Sequence, residues 1–252
     1  MKITATVISL NEERRISAAL ESLAWADEIV VVDSGSSDRT VEVASTFTDR
    51  VLHNPWPGYA AQKNYAAAAA TNDWVFSLDA DEVVTEDLAA SILALRDRGP
   101  DRSGYRMARR AWYIDRWIRF SGWYPDWQVR LYDRRLGRFD GEFVHESVSI
   151  PSATGTLEGD IEHFTVDSLG DHHRRIDGYT TLAARARAAR GRKFSALRAV
   201  GQPPLTFLQT YLLRQGFRDG AAGLAIAGFA AYYVFLREMK MRFQAGGGED
   251  AG

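Results

Sequence analysis

The first hundred residues alternate short apolar runs with helix-periodic segments, and this alternation constrains the fold more than any other feature of the chain. Ile3 to Leu10 is a nearly continuous run of apolar and β-branched residues, as a strand covered on both faces requires. Asn11 then offers an N-cap, and Ile16, Ala19, Leu20 and Leu23 recur at helical spacing before the next apolar run, Glu28 to Asp33 (EIVVVD). The pattern continues with a helix over Thr40 to Phe47, a short strand to His53, an alanine-rich helix from Tyr59 to Thr71, a strand from Asp73 to Leu78 and a helix from Glu86 to Arg96. Strands joined by crossover helices predict an α/β fold, a mostly parallel twisted sheet flanked by helices.

From Tyr105 to Ile150 the character changes: Trp and Tyr become frequent and strand-like pieces such as Gln128 to Tyr132 are separated by turns, which predicts an antiparallel extension of the sheet. Beyond Phe164 the chain reads as helical, with a basic segment from Arg174 to Arg198, a breaker at Gly201-Gln-Pro-Pro204 and a frayed tail. The expected organisation is a catalytic domain over 1–165, divided into halves at 100/101, a C-terminal helical region over 166–244 and a disordered tail over 245–252. With 46% hydrophobic and 25% charged residues among 252, the chain has enough apolar material for one large core or two modest ones. A net charge of −2 supplies no global basic field, so nucleic acid is not an expected partner. There is no cysteine, which excludes disulfides, thiolate metal sites and a cysteine nucleophile. The opening MKITATVISLNEERR meets charge by position 12 and reads as a strand, not a signal peptide.

In an open α/β sheet, ligands bind beyond the carboxyl ends of the strands. Three polar clusters fall there: Ser9-Leu10-Asn11-Glu12-Glu13, Asp33-Ser34-Gly35-Ser36-Ser37-Asp38 and Asp79-Ala80-Asp81-Glu82. Asn11, Ser36, Ser37 and Asp38 suit helix capping as well as ligand contact. Asp33 closes an apolar strand, where a carboxylate is costly without a partner, and this favours a ligand role. Asp79 and Asp81 repel each other unless a cation offsets them, and oxygen ligands of this kind suit Mg²⁺ or Mn²⁺.

Four motifs in order, TVISLNEE, EIVVVDSGSSDRT, the Gln62-Lys63-Asn64 helix start and WVFSLDADE, together resemble the inverting family 2 glycosyltransferases of the GT-A fold. GWYPDWQVRLY (Gly122 to Tyr132), FVHESV (Phe143 to Val148) and IEHFT (Ile161 to Thr165) are similar to the bacterial branch containing lipopolysaccharide-core β-1,4-glucosyltransferases. The resemblance implies transfer of a sugar, glucose by the branch, from a UDP-sugar to a glycolipid hydroxyl. It implies donor contacts at Ser9, Asn11, Glu13, Asp33, Lys63, Asn64 and Asp79, with Asp33 accepting from the uracil imide and a divalent metal on Asp81 and Asp79. An exposed, uninvolved Lys63 is the competing expectation. Inversion needs one base. The Glu-Asp pair that most of the family carries well after DxD is missing from the expected region, so Glu146, following His145, is the first candidate base and Asp126 the second. Trp123, Tyr124, Arg130 and His145 are expected on the acceptor side, while His163 is either a metal or diphosphate contact or a structural histidine. The rival expectations are a nucleotidyltransferase, although the glycine-rich basic loop it needs at the first strand is missing, and a nucleotide-sugar-binding module without turnover.

The uncharged run from Gly220 to Leu236 is at the lower limit for a bilayer span. With Leu205, Phe207, Leu208, Tyr211, Leu212 and the arginines before them, it predicts a helical appendage peripheral on the cytoplasmic face of the inner membrane. A soluble helical hairpin packed on the catalytic domain or on a second subunit is the alternative.

Overall fold

A computed structural model describes residues 1–141 and 146–243, which form two compact units, Met1–Arg110 with Asp126–His163, and Ala111–Pro125 with the chain from Phe164 onward. The first unit opens with β1 (Ile3–Ser9), α1 (Ile16–Glu21), β2 (Glu28–Asp33), α2 (Thr40–Ala44), β3 (Val51–His53), α3 (Tyr59–Ala69) and β4 (Trp74–Asp79). Every residue of β1 is buried, as its apolar run requires, and β1 pairs in parallel with both β2 and β4, while β3 extends β2 in parallel. The expected crossover architecture is therefore present. α1 is shorter than its apolar spacing predicts and takes no side-chain cap. Asn11 adopts positive φ (56°), and its Oδ1 accepts instead from the Ser37 amide at 2.8 Å, so it ties the loop after β1 to the loop after β2.

After β4 come β5 (Glu82–Val84), α4 (Glu86–Arg98), β6 (Gly104–Tyr113), β7 (Arg116–Trp117), β8 (Asp126–Asp133), the β9–β10 hairpin (Arg138–Asp140, Ser147–Ser149) and β11 (Gly155–Val166). The strand order is β3-β2-β1-β4-β8-β6-β11-β5. β8 is antiparallel to β4 and to β6, and β5 is antiparallel to β11 with His163 opposite Glu82. β4 and β5 stand four places apart in that order, yet only Ala80 and Asp81 separate them in sequence. Two residues span too little distance to bridge a flat sheet, so the antiparallel strands must curl until the last edge returns to the end of β4. Thr85 caps α4 by accepting from the Leu88 amide. Gly159 (φ +94°) lets β11 cross the start of that helix, where a Cβ would lie 2.3 Å from the Leu88 nitrogen. The main core joins Val7, Ile16, Leu20, Phe76, Leu78, Leu88, Ile92 and Ile161 from the sheet and the helices on one face.

The second unit contains β7, paired with the last residues of β6, and α5 (Leu169–Ala189), α6 (Ala196–Leu208) and α7 (Gly220–Phe243). Residues 111–125 belong with these helices because Asp219, 6% exposed, accepts from the backbone amides of Arg119 and Phe120 and from Ser121 Oγ. Tyr113, Ile118, Val166, Ala222 and Ile226 close a small core beside them. Pro203 and Pro204 do not break the chain as expected. They lie inside α6, which runs on through a π-turn, Gln209–Leu213.

Among the described residues one helix, 216–243, is long and apolar enough to cross a membrane, with mean hydropathy 1.4. It also carries buried charges. Glu238 is fully buried, with Arg187 Nη1 at 2.8 Å and Arg198 Nε at 3.6 Å, and Lys240, 8% exposed, donates to the carbonyl and carboxylate of Asp177 and to Thr181. These pairs, each with its α7 member buried and its partner partly or well exposed, link α7 to α5 and α6.

Candidate active site

The sheet brings the carboxylates of the β4–β5 junction onto basic residues from three other elements. Lys63, on α3, is 2% exposed, and its Nζ lies 2.9 Å from Asp79 Oδ1 and 2.9 Å from Glu146 Oε1. The exposed-lysine expectation therefore fails, and one ammonium joins the end of β4 to the residue preceding β10. Arg130, on β8, is 3% exposed and donates to Asp79 Oδ2 (3.0 Å) and Glu82 Oε1 (2.7 Å). It is thus an internal clamp and not the open acceptor-side contact expected of it. Arg109, on β6, links Glu82 Oε1 (3.1 Å) to Asp126 Oδ2 (2.6 Å).

Electrostatics follow from these pairs. Burial opposes ionisation of Asp79, but the charges of Lys63 and Arg130 overcome it and hold the carboxyl well below the usual range. Burial also disfavours the Arg130 cation, and Glu82 and Asp79 more than restore it, raising its pKa. Asp81 points elsewhere. Its Oδ2 lies 3.3 Å from His163 Nε2, with both side chains about one-fifth exposed. Burial resists ionisation of Asp81 too, and the hydrogen bond and charge of His163 outweigh it, lowering the pKa. The β5–β11 register explains the contact, since His163 stands opposite Glu82, the next residue after Asp81.

The expected metal pair is corrected accordingly: Asp79 is taken by Lys63 and Arg130, and the side chain beside Asp81 is His163. Among the described residues no three His, Asp or Glu side chains converge as a complete metal cage. A carboxylate and an imidazole, both reachable from solvent, nevertheless form a donor set that suits Mn²⁺ better than the oxygen-seeking Mg²⁺ when water and phosphate oxygens complete the shell.

The other expected donor contacts mostly hold loops. Asp33 is 3% exposed and accepts from Ser9 Oγ, Ser36 Oγ and the amides of Gly35 and Ser36. Burial opposes its ionisation, and these four donors overcome that and lower its pKa, so the carboxylate ties the loop after β2 to the end of β1. Glu13 accepts from the Arg39 amide, and Asp38 from the amides of Glu13 and Thr40. Asn64 forms a two-way bridge to the Phe139 backbone, donating to its carbonyl (2.8 Å) and accepting from its amide (2.9 Å). It anchors the β9–β10 hairpin to α3 one residue after Lys63, which reaches Glu146 in the same hairpin.

Glu146 is 14% exposed, whereas Asp126 is engaged by Arg109 and by Gln128 Nε2. Trp123 and Tyr124 lie in the second unit, where Trp123 packs edge-on against Tyr113 and His172. His145 lies outside the described residues.

Sequence alone assigns no role to Arg109 and none to Glu82 beyond its place in the acidic cluster. Glu82 is fully buried between two guanidiniums and also accepts from the Asp79 amide at 3.0 Å. The available signal was Arg109 in the strand run Tyr105 to Tyr113, where one of two adjacent arginines must face inward and find an acid.

The model for glycosyl transferase family 2 matches residues 4–150. The chain belongs to glycosyltransferase family 2. Over 96% of its length this glycosyltransferase is 30% identical to the lipopolysaccharide core biosynthesis glycosyltransferase LpsC of Rhizobium meliloti, of which the match covers 92%. It is 29% identical to an uncharacterized glycosyltransferase of Rickettsia typhi, with 96% of this chain and 87% of that protein covered. The crystal structure of TarS 1–349 from S. aureus aligns with 96% of this chain and 91% of that one at a TM-score of 0.51 and 15% identity, a likeness of fold. The expected GT-A-type α/β architecture with a C-terminal helical region is therefore present in this family 2 enzyme.

Proposed function

We propose that this glycosyltransferase moves a sugar, glucose by expectation, from a UDP-sugar to a hydroxyl of lipopolysaccharide core or a related glycolipid, in one inverting displacement with Glu146 as base. The observation that carries the reading is the shared lysine: Lys63 lies 2.9 Å from Asp79, in the acidic strand end, and 2.9 Å from Glu146, 67 positions further along the chain. An acid-base group must stand within reach of the donor site yet remain distinct from the groups that hold the diphosphate. Glu146 and Asp126 each face a cation, Lys63 at 2.9 Å and Arg109 at 2.6 Å. Glu146 is chosen because Lys63 is shared with Asp79 at the end of β4, whereas Arg109 is shared with the fully buried Glu82.

In this mechanism Glu146 accepts the acceptor hydroxyl proton as the new glycosidic bond forms and the bond to the diphosphate breaks. Lys63, donating to Glu146 Oε1 at 2.9 Å, keeps that carboxylate oriented before the transfer. Arg130 and Glu82 fix the end of β4 from below, so that Asp81 is presented without rearrangement. Asp81 and His163 are the residues to hold a divalent ion, which when bound supplies positive charge to the departing diphosphate. The acceptor class draws support from the likeness to the lipopolysaccharide core biosynthesis glycosyltransferase of Rhizobium meliloti. Such an acceptor would be met at the cytoplasmic face of the inner membrane.

Glu146→Gln is expected to abolish transfer while UDP-sugar affinity, measured by calorimetry with Mn²⁺, stays within about twofold of wild type, since only an interaction of the transition state is lost. Wild-type turnover by the variant sinks the assignment. Absence of donor hydrolysis and transfer in the wild type, with donor binding intact, favours a binding module instead.

A further inference from the structure

α6 and the π-turn that continues it, Ala196 to Leu213, form an 18-residue helical rod about 27 Å long at helical rise. Along it Leu197 (83% exposed), Val200 (75%), Leu205, Leu208, Leu212 and Leu213 (79%) are left open to solvent. Four of these, Leu197, Val200, Leu208 and Leu212, recur at intervals of three, eight and four residues and so share one helical face. Single exposed apolar side chains are ordinary, but five leucines and a valine on one element, four of them on one face, make an apolar surface that water does not favour. No charged residue lies between Arg198 and Arg214.

The charge around this face identifies its occupant. From Arg190 to Arg218 the sequence holds six basic residues and no acidic one, although the whole chain carries a net charge of −2. Arg190, Arg192 and Lys193 precede the rod and Arg214 and Arg218 follow it, all exposed. Arg198 instead turns inward to Glu238. An apolar face bracketed by exposed cations matches an anionic bilayer surface, where leucines enter the acyl boundary and arginines meet phosphates. Pairing of the same face with a second copy would bring two cationic sets together without a compensating acid. α7 fits less well, because Glu238 and Lys240, just past its uncharged run, are paired with Arg187 and Asp177 on α5 and lose those partners if the helix leaves α5 for a bilayer.

We infer that the face of α6 and its π-turn is a membrane-docking surface, lying in the plane of an anionic lipid monolayer, and that the protein attaches to membrane through it without spanning. This goes beyond the catalytic reading and does not depend on it, since lipid binding is read without turnover.

The test is flotation of the full-length protein with vesicles of phosphatidylcholine alone or mixed with phosphatidylglycerol. Wild type is expected to float with the anionic vesicles and to be released by high salt. Leu208→Glu with Leu212→Glu should lower its partitioning about tenfold or more, with melting temperature and donor binding unchanged. Arg192→Glu with Lys193→Glu, on exposed side chains, should weaken binding to anionic vesicles only, and this variant decides alone if the glutamate pair in the helix unfolds the protein. Failure of wild type to float with anionic vesicles overturns the inference, as does unchanged flotation of the variants. A wild-type dimer by light scattering that becomes monomeric in the leucine variant without lipid binding assigns the face to self-association and also overturns it.

Discussion

Lys63→Met removes the cation that contacts both Asp79 and Glu146 and replaces it with an uncharged side chain of similar length. At 2.9 Å and an effective dielectric of 20, each of the two ion pairs is worth about 6 kcal/mol of gross attraction. Burying an ammonium that is 2% exposed returns several kcal/mol of that as lost hydration. What remains after substitution decides the outcome: Asp79 keeps Arg130 at 3.0 Å, whereas Glu146, 14% exposed, is left to partial hydration. A net loss of about 3 kcal/mol follows, at the lower end for a broken buried ion pair. Urea unfolding of both proteins at neutral pH, followed by fluorescence and circular dichroism, measures it. A double-mutant cycle with Glu146→Gln should recover about 1 kcal/mol or more as coupling, since the two side chains are in contact. A loss below 1 kcal/mol with no coupling refutes the reasoning, for Lys63 would then be a packing residue and not the electrostatic joint of the site.

Two further outcomes are expected. Asn64→Ala leaves the amide and carbonyl of Phe139, a residue 5% exposed, without their partners; it should cost about 2 kcal/mol of stability in chemical denaturation. Its turnover should fall more than the folded fraction does, because the hairpin that carries Glu146 loses its anchor. His172 is packed on Phe229 at 4.2 Å between ring centroids, meets Tyr113 and Trp123, and burial depresses its pKa from 6.5 to about 4 despite the nearby Asp171. The folded form refuses a proton that the unfolded chain accepts, so this stability is intact above pH 6.5 and is lost as pH falls toward 4. The full window is worth about 3 kcal/mol, and the difference between wild type and His172→Phe, followed by thermal melting across that range, should change by that order.

The strand and helix periods are local properties, and they were enough to identify the parallel half of the sheet, the antiparallel extension, the acidic strand end and the helical C-terminal region. Continuous apolar runs such as Ile3 to Ser9 identify strands covered on both faces because no polar residue can stand there without cost. Which carboxylate meets which cation is not a local property. Lys63 and Glu146 are 83 positions apart, Arg130 and Glu82 are 48, and Asp81 and His163 are 82, so each meeting depends on strand order and on the curl that returns β5 to the end of β4. The same reason explains the partners of Asp33 and Asn64: a polar side chain at a strand end or helix start is equally suited to a ligand or to a neighbouring backbone, and only tertiary placement supplies the groups that meet it. In the helical unit the sequence supplied the apolar residues of α6 and α7 alike. Packing alone separated them, by burying Glu238 and Lys240 on α7 and leaving the leucines of α6 exposed.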